Sequence, residues 1–248
     1  MAFNRIYAIP DVHGRLDLLT LALQLLKADG WDAMKDLLVF TGDIIDRGPN
    51  VKGCLDTIIQ LVATYPDNVI MLRGNHEDFA FQHYILGESL GWSYNGMYQT
   101  LASYENNQMT DEHIKFIASR PYSLEVQGFF FAHAPVPREK ARAKGTEYTV
   151  NELTWTYFGI EGERKGGLMD KHAGPLSECG VGKEHLVGIC GHIHRLGSGI
   201  TTVRIFPNYR MLDAGCGCAP HAPLAVHECV ENRTFYADPK DLTSTPKV

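Results

Sequence analysis

Leu37-Leu38-Val39-Phe40-Thr41-Gly42-Asp43-Ile44-Ile45-Asp46-Arg47-Gly48 is an apolar run of strand length that stops at a glycine, two aspartates and an arginine. Such a run fits a buried strand of an α/β sheet with its polar residues delivered at the carboxyl end. Open α/β sheets take their ligands at that end. Working outward, two further strand-like runs finish in the same way. Residues 6–10 lead into Asp11-Val12-His13-Gly14, and residues 69–72 lead into Arg73-Gly74-Asn75-His76-Glu77. The three ends bring carboxylates, an amide and imidazoles together with arginines, and that mixture calls for a metal centre.

Between these runs the spacing predicts helices. The leucines from Leu16 to Leu26 give a helix ending near Asp29-Gly30, and Pro49 opens a second helix that runs to about Tyr65. Two β-α-β units in a row imply a parallel sheet with right-handed crossovers. Residues 78–120 read as mostly helical, with loops at 87–96 and Thr110 as a helix N-cap. Residues 122–126 and 129–132 flank Gln127-Gly128 as a hairpin. Further strands are expected near 186–190, 203–206, 210–212, 224–229 and 234–236. Residues 137–183 carry no clear pattern, and the tail after Asp238 reads as disordered. The fold class expected is α/β, with residues 1–248 as a single domain.

The formal net charge of −6 over 248 residues argues against general nucleic-acid affinity, because a polyanion binder carries a basic stripe. No apolar run reaches the length of a membrane span, and the N-terminus goes straight into a strand with no signal-peptide pattern. Six scattered cysteines (54, 179, 190, 216, 218 and 229) suit a reduced cytoplasm better than a disulfide framework.

Later in the chain, Phe131-Ala132-His133-Ala134 and Cys190-Gly191-His192-Ile193-His194 again put histidines at strand ends. Asp11 and His13, like His192 and His194, lie two residues apart, and an extended backbone would point both members of each pair to one side. Mixed oxygen and imidazole ligands suit Mn, Fe or Zn better than Mg or Ca. A single strand-end histidine is more often structural, but here the fragments recur, each beside glycine or another small residue.

In order and spacing, Asp11-x-His13-Gly14, Gly42-Asp43-x-x-Asp46-Arg47-Gly48 and Leu72-Arg73-Gly74-Asn75-His76-Glu77 resemble the motifs of the metallophosphoesterase superfamily, specifically its phosphoprotein phosphatase branch. The resemblance extends through His133 and Gly191-His192 to about residue 218, and it implies an α/β fold in the form of an αββα sandwich of two mixed sheets. It implies two divalent metal ions, manganese first with iron or zinc as alternatives. Asp11 and His13 would bind one ion, Asn75, His133 and His192 the other, and Asp43 would bridge them. A water held between the ions would lose a proton and attack phosphorus in line. His76 would protonate the leaving oxygen, Asp46 would orient His76, and Arg47 would clamp phosphate oxygens. Arg73 is either a further candidate phosphate contact or a structural support of the loop, and Glu77 either supports the loop or is the first-turn acid of the next helix.

The chain departs from the branch in three places. Gly191-His192-Ile193-His194 follows the broader superfamily's G-H-x-H, which adds His194 to the first ion. Trp155-Thr156-Tyr157 lacks the branch's further arginine, for which Arg164 is the candidate. His133 is followed by Ala134-Pro135 rather than by the usual pair of small residues. Gly215-Cys216-Gly217-Cys218 reads as a tight turn in preference to a thiolate site. Arg138, Lys140, Arg142 and Lys144 read as a solvated face in preference to a substrate funnel. His83, His113, His172, His185, His221 and His227 have no partner pattern and read as ordinary residues.

The expected activity is phosphoester hydrolysis on a phosphoprotein, as a serine/threonine phosphatase. The alternatives are a dinucleoside polyphosphate hydrolase, a small-molecule or cyclic-nucleotide phosphodiesterase, or a partner-binding scaffold of the same fold. The expected partners are a phosphoprotein or small phosphoester, with no nucleic acid and no membrane.

Overall fold

The computed structural model of the protein describes residues 2–88, 91–136, 148–155, 186–194 and 196–243. β1 (Ile6–Ile9), β2 (Leu37–Phe40) and β3 (Val69–Met71) are parallel neighbours, joined by α1 (Leu16–Ala28) and α2 (Val51–Thr64). Asn50, not Pro49, sets the start of α2: its side chain accepts the Gly53 N–H at 2.9 Å, so the helix begins one residue past the proline's neighbour, at Val51.

The middle of the chain holds α3 (Asn75–Phe81), a π-helical turn (Gln82–Leu86), a short turn at Trp92–Tyr94, α4 (Met97–Ala102) and α5 (Asp111–Ala118). Thr110 caps α5 as expected, accepting the His113 N–H at 3.3 Å.

β4 (Ser123–Val126) and β5 (Phe129–Ala132) form the expected hairpin, its turn made by positive φ at Gln127 and Gly128. α6 (Val150–Thr154) follows, then β6 (Val187–Cys190), β7 (Arg204–Phe206), β8 (Tyr209–Met211), β9 (Leu224–Glu228) and β10 (Arg233–Ala237). The strands assemble into two mixed sheets, ordered β10-β9-β1-β2-β3 and β4-β5-β6-β8-β7.

Alternation along β1 shows how the layers stack. Ile6 and Ala8 join Leu37, Val39, Phe131, Ile189 and Leu212 in an apolar layer between the sheets. Tyr7 and Ile9 face the other way, under α1 and α2 with Leu38, Phe40, Leu18 and Leu55. The outer face of the second sheet is covered, among the described residues, by Val136, Leu186 and Leu153 of α6. Each such side chain contributes about 1.5–3 kcal/mol when fully buried, so the strand ends project from a rigid base. Two mixed sheets with helices outside match the expectation.

The tail needs correction. Residues Pro239–Thr243 form a short 3-10 helix beside α1 instead of leaving the fold at Asp238. Asp241 N–H donates to the Asp238 carbonyl at 2.9 Å and Lys240 N–H to the Asp238 side chain at 2.9 Å, so Asp238 starts a turn. Residues 244–248 lie outside the described residues.

Candidate metal centre

The carboxyl ends of β1, β2, β5 and β6 face one another across the two sheets. The loops there are not extended. His13, Asp43, Asp46, Arg47 and His192 all have positive φ, between 45° and 71°. The expectation that an extended backbone aligns Asp11 with His13, and His192 with His194, therefore does not hold. The chain turns sharply after each strand, and the turn aims the side chains. Non-glycine residues are rare in this region of backbone space and cost roughly 1–3 kcal/mol each.

Glu77, buried at the first turn of α3, holds the strained loop. Its carboxylate accepts the N–H groups of Asp43 (2.7 Å), Ile44 (2.8 Å), Ile45 (3.2 Å) and Gly74 (2.9 Å). Gly74 is glycine of necessity, since a Cβ there would collide with the Asp43 carboxylate.

Two groups of donor atoms share Asp43. In one, Asp43 stands with His13 and His76; in the other, with His133 and His192. His13 donates Nδ1–H to the Ile45 carbonyl at 2.8 Å, which leaves its Nε2 lone pair 3.6 Å from Asp43 Oδ2. His133 places Nδ1 3.1 Å from the Thr41 carbonyl and Nε2 3.3 Å from the same Asp43 oxygen. Around His133 Nε2 gather Asn75 Oδ1 at 2.8 Å and His192 Nδ1 at 3.1 Å. An imidazole pinned through one nitrogen by a backbone carbonyl, with the other aimed at a shared carboxylate, is how metal-ligating histidines are held. The separations also suit ligands sharing one ion, each about 2.0–2.2 Å from it. The residues present fit a pair of divalent cations.

Charge points the same way. Asp11, Asp43, Asp46, Glu77 and Asp213 are all buried here. Burial pushes the Asp11 carboxyl well above its ordinary range, with Asp213 adding to the effect, and burial raises Asp213 and Glu77 as well. Asp43 goes the other way: burial opposes its charge, but His133 and His76 outweigh it and hold the carboxyl well below. Burial pulls His13 and His192 well below the usual imidazole value, which keeps them neutral as metal ligands must be. His133 is lifted to about 9 despite burial, chiefly by Asp43. These carboxylates attract positive charge to the position a cation would take.

Asp11 lies at the edge of these groups. Both of its oxygens accept the His192 N–H, at 3.0 and 3.1 Å. His194 belongs to neither tight group: its Nδ1 is buried without a hydrogen-bond partner, and Asp213 is the charge it acts on.

Asp46 accepts His76 Nδ1–H at 2.6 Å. Arg47 places Nη2 3.0 Å from His76 Nε2, and Nη1 2.6 Å from His13 Nε2 and 2.7 Å from Cys218 Sγ. Arg73 is not brought to the cluster. Its guanidinium bonds the Tyr122 hydroxyl at 2.7 Å and the Ala118 carbonyl, pairs with Asp78 at 3.6 Å, and lies over the Phe81 and Tyr122 rings at 4.4 and 4.7 Å. The reason is local: Phe81 of α3 and Tyr122 just before β4 supply the rings, and Asp78 the charge, that hold the guanidinium.

Gly215-Cys216-Gly217-Cys218 forms the expected turn, with Cys218 N–H bonded to the Gly215 carbonyl at 3.0 Å, and it packs on His13. His113 sits between Tyr104 (2.6 Å) and Asp56 (3.0 Å), and His227 between Thr234 and Arg210, both as structural residues. Arg138, Lys140, Arg142, Lys144, Arg164, His172, Cys179 and His185 lie outside the described residues. Sequence reasoning missed Trp92, Thr100 and Asp213. The first two sit in the helical middle with no motif to mark them. Asp213, beside the Gly-Cys turn, was visible only as part of that turn.

Residues 4–196 match the Calcineurin-like phosphoesterase family. The chain is 29% identical over 169 residues to "Serine/threonine-protein phosphatase 1" of Salmonella typhimurium, covering 66% of this chain and 74% of that one. It is 38% identical over 71 residues to "Bis(5'-nucleosyl)-tetraphosphatase, symmetrical" of Buchnera aphidicola, covering 29% and 23%. A crystal structure provisionally described as a diadenosine tetraphosphatase superposes with a TM-score of 0.65 at 17% identity, covering 94% of this chain and 92% of that one, and it shares the fold. The chain therefore belongs to the calcineurin-like phosphoesterase family and is a metal-dependent phosphatase.

Proposed function

We propose that the chain is a serine/threonine protein phosphatase working with two divalent cations. The observation that carries the reading is Asp43 Oδ2, a single oxygen 3.6 Å from His13 Nε2 and 3.3 Å from His133 Nε2, on the one residue that both donor groups share. His13, Asp43 and Asp11 would hold one ion, with His194 as an added ligand. Asn75, His133, His192 and Asp43 would hold the other. The cations would supply Lewis acidity toward the phosphate and a water nucleophile at neutral pH.

The chain's own residues do the rest. Arg47 now donates to the His13 Nε2 lone pair; with that lone pair given to a cation, its planar guanidinium would be available to grip phosphate oxygens. His76, held through Nδ1 by Asp46, presents Nε2 toward the leaving oxygen as its proton donor. Distances alone would also let His76 bind metal, because its Nε2 is 3.7 Å from Asp43 Oδ2. The match of Asp46 and His76 to the phosphoprotein phosphatase motifs favours the acid role. Arg73 anchors the loop. Manganese is the first choice of ion, and iron or zinc would suit the same oxygen and nitrogen ligands.

The similarity to the Salmonella protein phosphatase, over two thirds of the chain, favours a phosphoprotein substrate. Dinucleoside polyphosphate hydrolysis is the second reading, favoured by the shorter match to the Buchnera tetraphosphatase. We place the protein in the cytoplasm as one domain. Cys54, Cys216, Cys218 and Cys229 take part in no disulfide, which supports a reduced compartment, and no described helix is long and apolar enough to cross a membrane.

Phosphate release with added Mn²⁺, comparing a phosphoserine/phosphothreonine peptide with diadenosine tetraphosphate, tests the assignment. Peptide turnover without nucleotide cleavage supports it, and the reverse selects the second reading.

A further inference from the structure

Asp46 is fully buried and holds more than His76. Its carboxylate accepts the Trp92 indole N–H through both oxygens, at 2.9 and 3.0 Å, and the Thr100 hydroxyl through Oδ1. Thr100 Oγ1 in turn accepts the Asp46 backbone N–H at 3.0 Å. That acceptance occupies a hydroxyl lone pair and leaves the hydroxyl hydrogen for the carboxylate, so the two residues close a ring. Trp92 and Thr100 are themselves fully buried, and Trp92 is among the largest side chains with no exposure.

Both donors come from the segment between β3 and β4, not from any strand end. Gly96, between them, allows the approach. Its φ is +111°, and a Cβ there would stand 2.7 Å from Asp46 Cβ and 2.8 Å from Arg47 N. This segment is thus built against one carboxylate.

We infer that Trp92 and Thr100 are positioning residues for proton donation: they fix the Asp46 carboxylate so that His76 keeps its Nε2 aimed at the leaving oxygen. Three side chains donate to this carboxylate, counting His76, and the loop N–H is satisfied by the same threonine. Charge-assisted bonds of this kind are the strong ones. The carboxylate can neither rotate nor turn toward Arg47, and the imidazole it orients is held in one pose. A one-ångström misplacement of a reacting group can cost about 100-fold in rate, so the support from the middle segment acts on catalysis and not only on stability. The inference rests on the proton-donor role proposed for His76.

The test separates the two claims. An alkyl leaving group needs a proton, whereas p-nitrophenolate leaves without one. kcat/KM is measured for a phosphoserine peptide and for p-nitrophenyl phosphate in wild type, Thr100→Val, Thr100→Ser, Trp92→Phe and His76→Asn, with bound metal counted in each. General acids contribute about 100- to 10,000-fold, so His76→Asn is expected to lose selectively on the peptide. Thr100→Val and Trp92→Phe are expected to lose on the peptide roughly 5- to 20-fold more than on the aryl ester, a fraction of that acid term. Thr100→Ser, which keeps the hydroxyl, restores the wild-type ratio. The low-field proton resonance of His76 Nδ1–H provides a readout independent of turnover: it moves in Thr100→Val and Trp92→Phe and returns in Thr100→Ser. An unchanged ratio and resonance in both variants, while His76→Asn is selective, overturns this inference alone. A His76→Asn that loses equally on both substrates overturns the proton-donor reading beneath it.

Discussion

Glu77 Oε2 accepts the Asp43 N–H at 2.7 Å and the Gly74 N–H at 2.9 Å, so one carboxylate ties the Asp43 loop to the loop that carries Asn75 and His76. Neither sheet nor helix satisfies these N–H groups, and Glu77 alone answers four of them. Leaving buried donors unsatisfied costs about 1–3 kcal/mol per group, and more where a charge is involved.

Glu77→Gln keeps the shape but loses the charge and turns an NH2 toward backbone donors. Chemical denaturation of this variant should show a loss of at least about 1–3 kcal/mol. Metal titration should show weaker binding with the ligands themselves unchanged. Wild-type stability and affinity would mean that the loop is held by its strands instead.

Arg73 gives a sharper contrast. Its guanidinium is occupied by Tyr122, Ala118 and Asp78 and stacked on two rings. Arg73→Lys removes the planar fork, and thermal unfolding should fall by several degrees, about 1–2 kcal/mol in a domain of this size, while kcat stays near wild type. A collapse of kcat at unchanged Tm would restore Arg73 to the phosphate.

Much of the candidate site was legible because its candidate ligands sit within four residues past the ends of apolar strands. The sheet register then brings those ends together without any further signal. The layers were legible for the same reason: Leu37 to Phe40 is apolar on both faces, as a strand between helices and a second sheet must be. What could not be read is what happens across long sequence separations. Trp92 and Thr100 reach Asp46 from 46 and 54 residues away, and no local pattern marks an indole or a hydroxyl for that role. The turn at His13 and His192 was also hidden, since positive φ in a histidine has no sequence signature. For Arg73 the sequence left phosphate contact and loop support both open, because a motif position names a residue but not the direction of its side chain; its contacts with Tyr122, Ala118 and Asp78 favour loop support.

His227 gives the pH dependence. Burial, reinforced by Arg210, lowers its pKa from 6.5 to about 3, so the folded protein keeps it neutral where the unfolded chain would take a proton. Its contribution to stability is complete above about pH 6.5 and is lost as pH falls from there toward about 3. Unfolding free energy measured from pH 7 to 4 should decline, and His227→Gln should flatten that decline. An identical slope in both proteins would assign the acid sensitivity to other groups.

In the proposed mechanism two cations share Asp43 while His76 stands outside both coordination shells. Bound metal per chain, counted by elemental analysis in wild type, His76→Asn and Asp43→Asn, distinguishes this arrangement from one in which His76 is a ligand. Two ions are expected in wild type, two in His76→Asn, and loss from both sites in Asp43→Asn. One ion in wild type, or the loss of an ion in His76→Asn, would contradict it.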